Sequence, residues 1–295
     1  MKPAPFEYVR PRSAAEICNL LASNDDAVII AGGQTLVPMM AMRLARPRVL
    51  VDIARLPELS GIREEGDAIV IGATTRQAEI ERSRTVAAKI PLLARALPWI
   101  GHAATRNRGT IGGSIANADP AAEIPLVAVT LGADILTVGP DGNHTVAAGA
   151  FFVGPMMTSM PPASFVAAVR FPVWKQTQAG VAFHEVSARA SDFALAAAAA
   201  QVALDADGRC AACAIGVGGA TPFPTRLDGA AQALLGTPMT DDAIRETIHA
   251  AMAGLEIMTD PHASPDYRRR AALALAVRAL TDARDAARRG GAKAT

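Results

Sequence analysis

The chain has 295 residues, of which 51% are apolar, enough for more than one hydrophobic core and therefore for two domains with a subdivided first one. Its 29 basic and 28 acidic residues leave a net charge of +1, which argues against nucleic acid or an anionic membrane as the main partner. Aromatics are only 4% of the chain, no apolar run approaches a membrane span, the segment Met1 to Glu7 shows no export signal, and 3 cysteines suit a reducing, cytoplasmic setting.

Ser13 to Ser23 predicts a short helix, with Ser13 as N-cap, Glu16 at the capping-box position and Ile17, Leu20 and Leu21 on one face. Val28 to Ala31 is a buried strand that runs into Gly32-Gly33, and Val49 to Ile53 and Ile69 to Ile71 are further strands. Arg84 to Leu97 is helical in period, with Pro91 placed to kink or divide it. Gly101 to Asp119 reads as a long, polar, irregular segment, of the length that is disordered or functional, and it is too apolar in part to be disordered. An apolar helix follows Pro125 to about Leu131. Ile135 to Val138 and Thr145 to Ala148 flank the hairpin turn Pro140-Asp141-Gly142-Asn143, and Ser164 to Phe171 is a strand closed by Pro172.

The main boundary falls between Lys175 and Gly180. This gives a domain at 1–176, with sublobes of about 1–57 and 58–176, a second domain at 177–290 and a tail at 291–295. In the second domain Val181 to Val186, Leu195 to Leu204 and Ala212 to Val217 are strands. Propensity alone would make Ala196 to Ala200 helical, but the Asp205-Ala206-Asp207-Gly208-Arg209 turn and the Val202/Leu204 alternation favour sheet. Helices near Asp228–Leu235, Asp241–Met258 and Pro265–Arg289 close the chain, the last ending in a fraying basic tail.

Two glycine pairs carry the chemistry. The first, in Ala31-Gly32-Gly33-Gln34-Thr35-Leu36, directly follows a strand. Without a Cβ, glycine can reach positive φ and wrap successive N–H groups round an anion, and Gln34 and Thr35 add side-chain donors. The second, in Thr110-Ile111-Gly112-Gly113-Ser114, is followed by the amide of Asn117 and by Asp119 and Glu123, acceptors suited to sugar hydroxyls. One nest suits a single phosphate; two suit the pyrophosphate of a dinucleotide. Neither pair has the Gly-Lys-Ser/Thr of a P-loop or the Rossmann Gly-x-Gly-x-x-Gly spacing.

Ala31-Gly-Gly-Gln-Thr-Leu-Val-Pro-Met-Met40 with Arg43, Val51-Asp52-Ile53 and Leu56 resembles the start of the FAD-binding medium subunit of molybdenum hydroxylases. That group includes the carbon monoxide dehydrogenase medium subunit and the xanthine dehydrogenase flavin domain. Arg106 to Gly113, continuing through Asn117-Ala118-Asp119-Pro120, is similar to the second flavin motif of that family. The likeness extends through Phe152-x-Gly154, Arg189-x-Ser191-Asp192-Phe193 and Gly216-x-Gly218-Gly219.

The resemblance implies an α+β fold: a two-lobed, vanillyl-alcohol-oxidase-like (PCMH-type) FAD-binding domain followed by a sheet-plus-helices domain. It also implies noncovalent FAD. Ala31, Gly32, Gly33, Gln34 and Thr35 would hold the pyrophosphate, with Leu36 also in the cofactor-binding loop, helped by Thr110, Gly112, Gly113 and Ser114. Asn117, Asp119 and Glu123 would line the pyrophosphate, ribityl chain or their support, and Ile100 and Phe193 would flank the isoalloxazine. Thr35 stands where serine is commoner, Phe193 where some relatives have tyrosine, and His184-Glu185 near where some place a lysine. The implied role is an oxidoreductase subunit without catalytic or metal-ligating residues of its own. Electrons would pass from an iron–sulfur small subunit, supplied by a molybdenum-cofactor large subunit, through FAD to an external acceptor, in a dimer of heterotrimers. The substrate is open among carbon monoxide, purines, N-heteroaromatics and aldehydes. The competing readings are a self-contained flavin oxidase of the same fold and a non-catalytic nucleotide-binding assembly module.

Other residues read more plainly. Cys210-x-x-Cys213 fits strand cysteines better than a metal or redox motif, because no second ligand pair is near. Cys18 fits the core, and the histidines have no ligand spacing. His102 or His184 as a covalent flavin tether is the lesser alternative. Arg268-Arg269-Arg270 and Arg288-Arg289 read as a solvated helix face, with partner docking second.

Overall fold

The computed structural model describes residues 2–176 and 179–291, and the fold is mixed helix and sheet. The chain begins with β1 (Glu7–Val9), α1 (Ala14–Ser23), β2 (Ala27–Ile30), α2 (Leu36–Ala41) and β3 (Val49–Asp52), which form a parallel sheet in the order β1-β3-β2. Ser13 caps α1 by accepting the Glu16 N–H at 3.2 Å, while the Glu16 carboxylate takes the N–H of Arg12 rather than that of Ser13. Ile17 and Cys18 seal the helix against Val49, Val51 and Ile53.

The second lobe comprises β4 (Ile62–Glu65), β5 (Ala68–Gly72), α3 (Gln77–Arg82), α4 (Arg84–Lys89), α5 (Pro91–Ala96), α6 (Ala103–Arg108), α7 (Ile111–Asn117), α8 (Glu123–Leu131), β6 (Asp134–Gly139), β7 (Gly142–Ala147), α9 (Ala148–Phe151), β8 (Phe152–Gly154), β9 (Met157–Thr158) and β10 (Phe165–Pro172). Its antiparallel sheet runs β4-β5-β10-β6-β7. Pro91 divides the predicted helix into α4 and α5. α8 starts at Glu123, two residues before Pro125, and is buried along its length from Ile124 to Leu131.

The expectation of an irregular Gly101 to Asp119 is corrected: α6 and α7 occupy it. Helices this short are marginal alone. Here Thr110 caps α7 through the Gly113 N–H at 3.1 Å, and Gly112 lies where a Cβ would come 2.8 Å from the Ala73 backbone. Tertiary contact therefore imposes a helix on glycine-rich sequence.

The third unit is an antiparallel sheet of β11 (Ala179–Ser187), β12 (Ala194–Leu204), β13 (Cys210–Gly218) and β14 (Thr225–Arg226), in that order, with α10 (Asp228–Leu234), α11 (Asp241–Met252) and α12 (Pro265–Gly291). The alanine run is strand, as the turn after it indicated. α12 lays Ala272, Ala276, Ala279, Ala283 and Ala287 on one face of this sheet. A Cβ on Gly180 would come 2.9 Å from the Ala286 carbonyl carbon, so helix and sheet lie at near backbone contact. Alanine-rich composition is what such close layers require. The other face packs on α8, with Gly218 against Leu126 and Pro120.

Three further expectations change. α11 stops at Met252 rather than Met258, because the chain turns so that the Met258 N–H can bond the Ala220 carbonyl. α12 continues to Gly291, the first residue of the expected tail; 292–295, like Thr177 and Gln178 at the expected boundary, lie outside the described residues. The arginine triplet is not a solvated face. Arg268 is 2% exposed and bonds Leu195 and Gly219 carbonyls at 2.7 Å, and Arg269 bonds the Met252 and Leu255 carbonyls. Cys18, Cys210 and Cys213 are buried. A bulge at Ala211 turns the last two to the same buried face. Among the described residues no helix is long and apolar enough to cross a membrane.

Candidate functional site

The two glycine segments meet. A Cβ on Gly32 would come 2.9 Å from the Gly109 Cα and closer still to the Arg108 carbonyl oxygen, so the turn after β2 abuts the turn between α6 and α7. Gly33 adopts φ +69°, the left-handed conformation that favours glycine and directs neighbouring N–H groups into one concavity. Among the described residues no acceptor is found for the N–H groups of Gly33, Gln34 and Thr35. Gln34 and Thr35 are exposed, Leu36 and Ala31 are partly buried, and the Gln34 side chain bonds back to the Gly32 carbonyl at 3.2 Å.

The second pair works differently from the first. Ile111 donates to the Thr75 carbonyl, Gly112 to the Ala73 carbonyl, Gly113 to the Thr110 hydroxyl and Ser114 to the Thr110 carbonyl. Its backbone donors are thus engaged within the protein, and it is not the free nest its sequence suggested. What it offers is absence of bulk: Gly113 is exposed, with only Thr110 Oγ1 near the place of a Cβ. The Ser114 side chain is partly exposed on the same helix.

One residue the sequence reading missed stands at this junction. The Arg76 guanidinium donates to the Arg108 carbonyl, the oxygen that Gly32 faces. Burial, and then the charge of Arg108, lower its pKa, while Asp52 opposes them. A half-buried cation beside a cluster of free N–H donors suits an anion. Its only sequence signal was a lone arginine after the β5 strand, which carries no pattern.

Beyond α7, Ala118 takes φ 52° and turns the chain. Asn117 reaches the Met156 sulfur at 3.9 Å, and Asp119 accepts the Ala121 N–H at 2.9 Å. Pro120 accepts the Gly219 N–H at 2.7 Å, tying this corner to the third sheet. A cavity of about 400 Å³ opens here, lined by Asp119, Pro120, Arg189, Phe193, Gly219 and Arg268. Phe193 is 73% exposed on a turn held by Arg189 Nε to Asp192 at 3.1 Å. Ile100 is buried in the core, and its carbonyl accepts Arg106, which forms a two-bond pair with Glu81 at 2.8 and 3.1 Å.

The structure therefore gathers Ala31 to Leu36 with Thr110 to Ser114, and Asp119 with Phe193. Burial pushes the Asp119 carboxyl up from its ordinary value against the Ala121 N–H bond. Burial also raises Glu123 to about 7, its own backbone N–H opposing and Asp119 adding. His184 bonds Asp282 of α12 at 2.8 Å, so it faces away from this corner and is not placed as a tether; His102 is exposed before α6.

Residues 4–174 match the family described as the FAD binding domain in molybdopterin dehydrogenase, and residues 181–283 match the CO dehydrogenase flavoprotein C-terminal domain. The chain is 38% identical to the 6-hydroxypseudooxynicotine dehydrogenase complex subunit alpha of Paenarthrobacter nicotinovorans, over 98% of this chain and 97% of that one. It is 37% identical to the carbon monoxide dehydrogenase medium chain of Hydrogenophaga pseudoflava, over 96% and 98% respectively. A solved structure of carbon monoxide dehydrogenase from that organism, lacking the Mo-pyranopterin moiety, superposes with a TM-score of 0.93 at 36% identity, covering 97% of this chain and 99% of that one.

Proposed function

The chain belongs to the FAD-binding medium subunits of molybdenum hydroxylase-type oxidoreductases, and on that premise we propose that it carries electrons through a noncovalent FAD between partner subunits and an external acceptor. The observation that carries the FAD site is the contact of Gly32 with the Arg108–Gly109 backbone, beside the free N–H groups of Gly33 to Thr35. The concavity fits a pyrophosphate: it offers donors, a nearby Arg76, and no Cβ to fill it.

Bound FAD supplies the ability to exchange electrons singly with one partner and in pairs with another. The protein's own work is to hold and orient it. Gly33, Gln34 and Thr35 would donate to phosphate oxygens, Gly113 and Ser114 would border them, and Asn117, Asp119 and Glu123 would serve the ribityl side. Ile100 and Phe193 would flank the ring, an aliphatic group and an aromatic suited to its apolar faces. No general base on this chain is required. The partners in this reading are an iron–sulfur small subunit and a molybdenum-cofactor large subunit, paired as a dimer of heterotrimers in the cytoplasm. The domains are 1–176 and 177–290.

Purification decides between this role and its competitors. The expected result is a yellow chain that co-purifies with an iron–sulfur protein and a large molybdenum protein and turns over no organic substrate alone. Turnover by the isolated flavin-loaded chain would establish a self-contained oxidase instead. Lack of FAD binding, also after refolding with FAD, would reject both and leave an assembly module.

A further inference from the structure

β11 alternates its side chains between two layers. Ala182 packs with the α12 layer and His184 reaches Asp282 there, whereas Val181 and Phe183 pack into the core around α5 and α8. Glu185 follows on the second of these faces, opposite Ala197, and its charge interacts with Glu123 in the first turn of α8. Glu123 in turn interacts with Asp119, which lines the cavity beside Phe193. Three carboxyls from two packed units thus line up from the cavity into the junction.

Arg189, His262 and Arg268 line the cavity on the Asp119 side, but Arg189 is engaged by Asp192 and Arg268 by the Leu195 and Gly219 carbonyls and Asp260, so among the described residues none of the three carboxyls is in an ion pair. Among the described residues the Glu185 Oε2 atom is sealed from solvent and has no hydrogen-bond partner. On the surrounding elements, β12 carries no titratable residue, α7 none, and α5 only the exposed Arg95. Arg226 lies by Gly132, at the far end of α8, and α12 with Asp282 covers the opposite face of β11. A purely structural carboxyl in such a place would be expected to find a donor or be replaced by an amide.

We propose that Glu185 and Glu123 form a proton-holding pair that takes up one proton from solvent when flavin bound beside Asp119 is reduced, and returns it on reoxidation. The inference rests on the FAD reading above. The electrons come from an iron–sulfur donor, or from dithionite in the test, and end on the flavin. The proton forms one O–H bond on a carboxylate oxygen, and the carboxyls are neither oxidised nor reduced. The direction follows from electrostatics, because negative charge gained nearby favours the neutral form of an acid. Burial raises Glu185 to about 8, with Glu123 adding to it, so the pair changes protonation near neutral pH, where a modest field suffices to shift it.

The test uses the full chain loaded with FAD, in parent form and as Glu185→Gln and Glu123→Gln, with the flavin potential followed from about pH 6 to pH 9. One linked proton per electron pair steepens the reduction equilibrium by tenfold per pH unit, about 30 mV, in the parent relative to either amide variant. Proton uptake on dithionite reduction, read by an indicator dye in weak buffer, falls in the same variants. In the parent alone, the reduced-minus-oxidised infrared spectrum gains a protonated-carboxyl band. A merely structural role would lower thermal stability and leave the pH slope unchanged. Equal slopes in parent and Glu185→Gln, or no carboxyl band in the parent, overturn the proposal while leaving FAD binding intact; a parent chain that binds no FAD overturns both.

Discussion

A single methyl group at Gly32 tests whether the two glycine segments act together. In Gly32→Ala the new carbon would come 2.9 Å from the Gly109 Cα, against an ordinary carbon–carbon contact of about 3.5–4.0 Å. The obstacle is backbone and cannot rotate away. It is also braced from behind: Gly109 donates to the Thr105 carbonyl at 2.7 Å and accepts from Gln77 at 2.9 Å, and Ile111 is tied to Thr75. Relief therefore requires the β2–α2 turn to withdraw from α6 and α7. Forcing a methyl into such a contact costs about 1–3 kcal/mol. If one ligand spans both segments, the displacement also falls on binding, and FAD affinity drops roughly 5- to 150-fold at 1.4 kcal/mol per decade. The assay is a flavin-fluorescence titration beside urea unfolding of the apoprotein. Gly229→Ala, exposed in α10 with nothing within 4 Å of its Cβ, is the control. It should gain about 1 kcal/mol of stability and leave FAD affinity alone. An FAD affinity for Gly32→Ala within about twofold of the parent, with the stability loss present, would refute the shared-ligand reasoning.

Gly33→Asp should abolish FAD binding in the same titration, because an L residue is strained at φ +69° and its Cβ would come 3.0 Å from Val37 Cγ2 and 3.2 Å from Ile30 Cδ1, displacing the turn whose N–H groups face the proposed pyrophosphate and adding a negative charge there; retained flavin would disprove that placement. Arg268→Ala removes a buried cation that joins Leu195, Gly219 and Asp260, and should cost about 3–5 kcal/mol in urea unfolding. It should also speed tryptic cleavage at Arg189, in the turn that carries Phe193. The raised carboxyls give a signed pH dependence. Acids at about 7 and about 8 in the folded chain favour the folded state fully below their unfolded value of 4.5, and that contribution is lost as pH rises through 7 and 8. Apoprotein melting temperature should fall across that window and fall less in Glu185→Gln, as scanning calorimetry would record.

Much of the fold was legible because strands such as Val49–Asp52 and Ala68–Gly72 are apolar runs closed by turn residues. The alanine strand β12 was readable only from its turn, since alanine by itself prefers helix. What sequence did not disclose depends on partners distant in the chain. α6 and α7 are 6 and 7 residues long, too short for periodicity to register, and exist because Ala73, Thr75 and Gly32 meet them. Arg268 looked like one of three solvated arginines until Leu195, Gly219 and Asp260 surrounded it. Glu185 looked like a departure from a family pattern, and only the packing of the third sheet on α8, through β12 and β13, brings Glu123 to its side.

The two glycine pairs, alike in sequence, divide their work. Each has an inward glycine pressed on distant backbone, Gly32 against Gly109 and Gly112 against Ala73, and an outward one: Gly113 is exposed, and Gly33 is half-buried at positive φ with only its neighbours Ile30 and Val37 beside it. The inward pair sets the spacing between segments, since any side chain there would push backbone apart. The outward pair sets the surface a ligand meets. Only the first segment retains N–H donors, because α7 consumes its own on Thr110, Thr75 and Ala73. Loss of the Thr110 hydroxyl should therefore act through helix stability. Thr110→Val should cost about 1 kcal/mol in unfolding, the usual size of a lost N-cap, with a smaller effect on FAD affinity than Gly33→Asp. The reverse order of the two affinities would show that the second segment, and not the first, grips the phosphates.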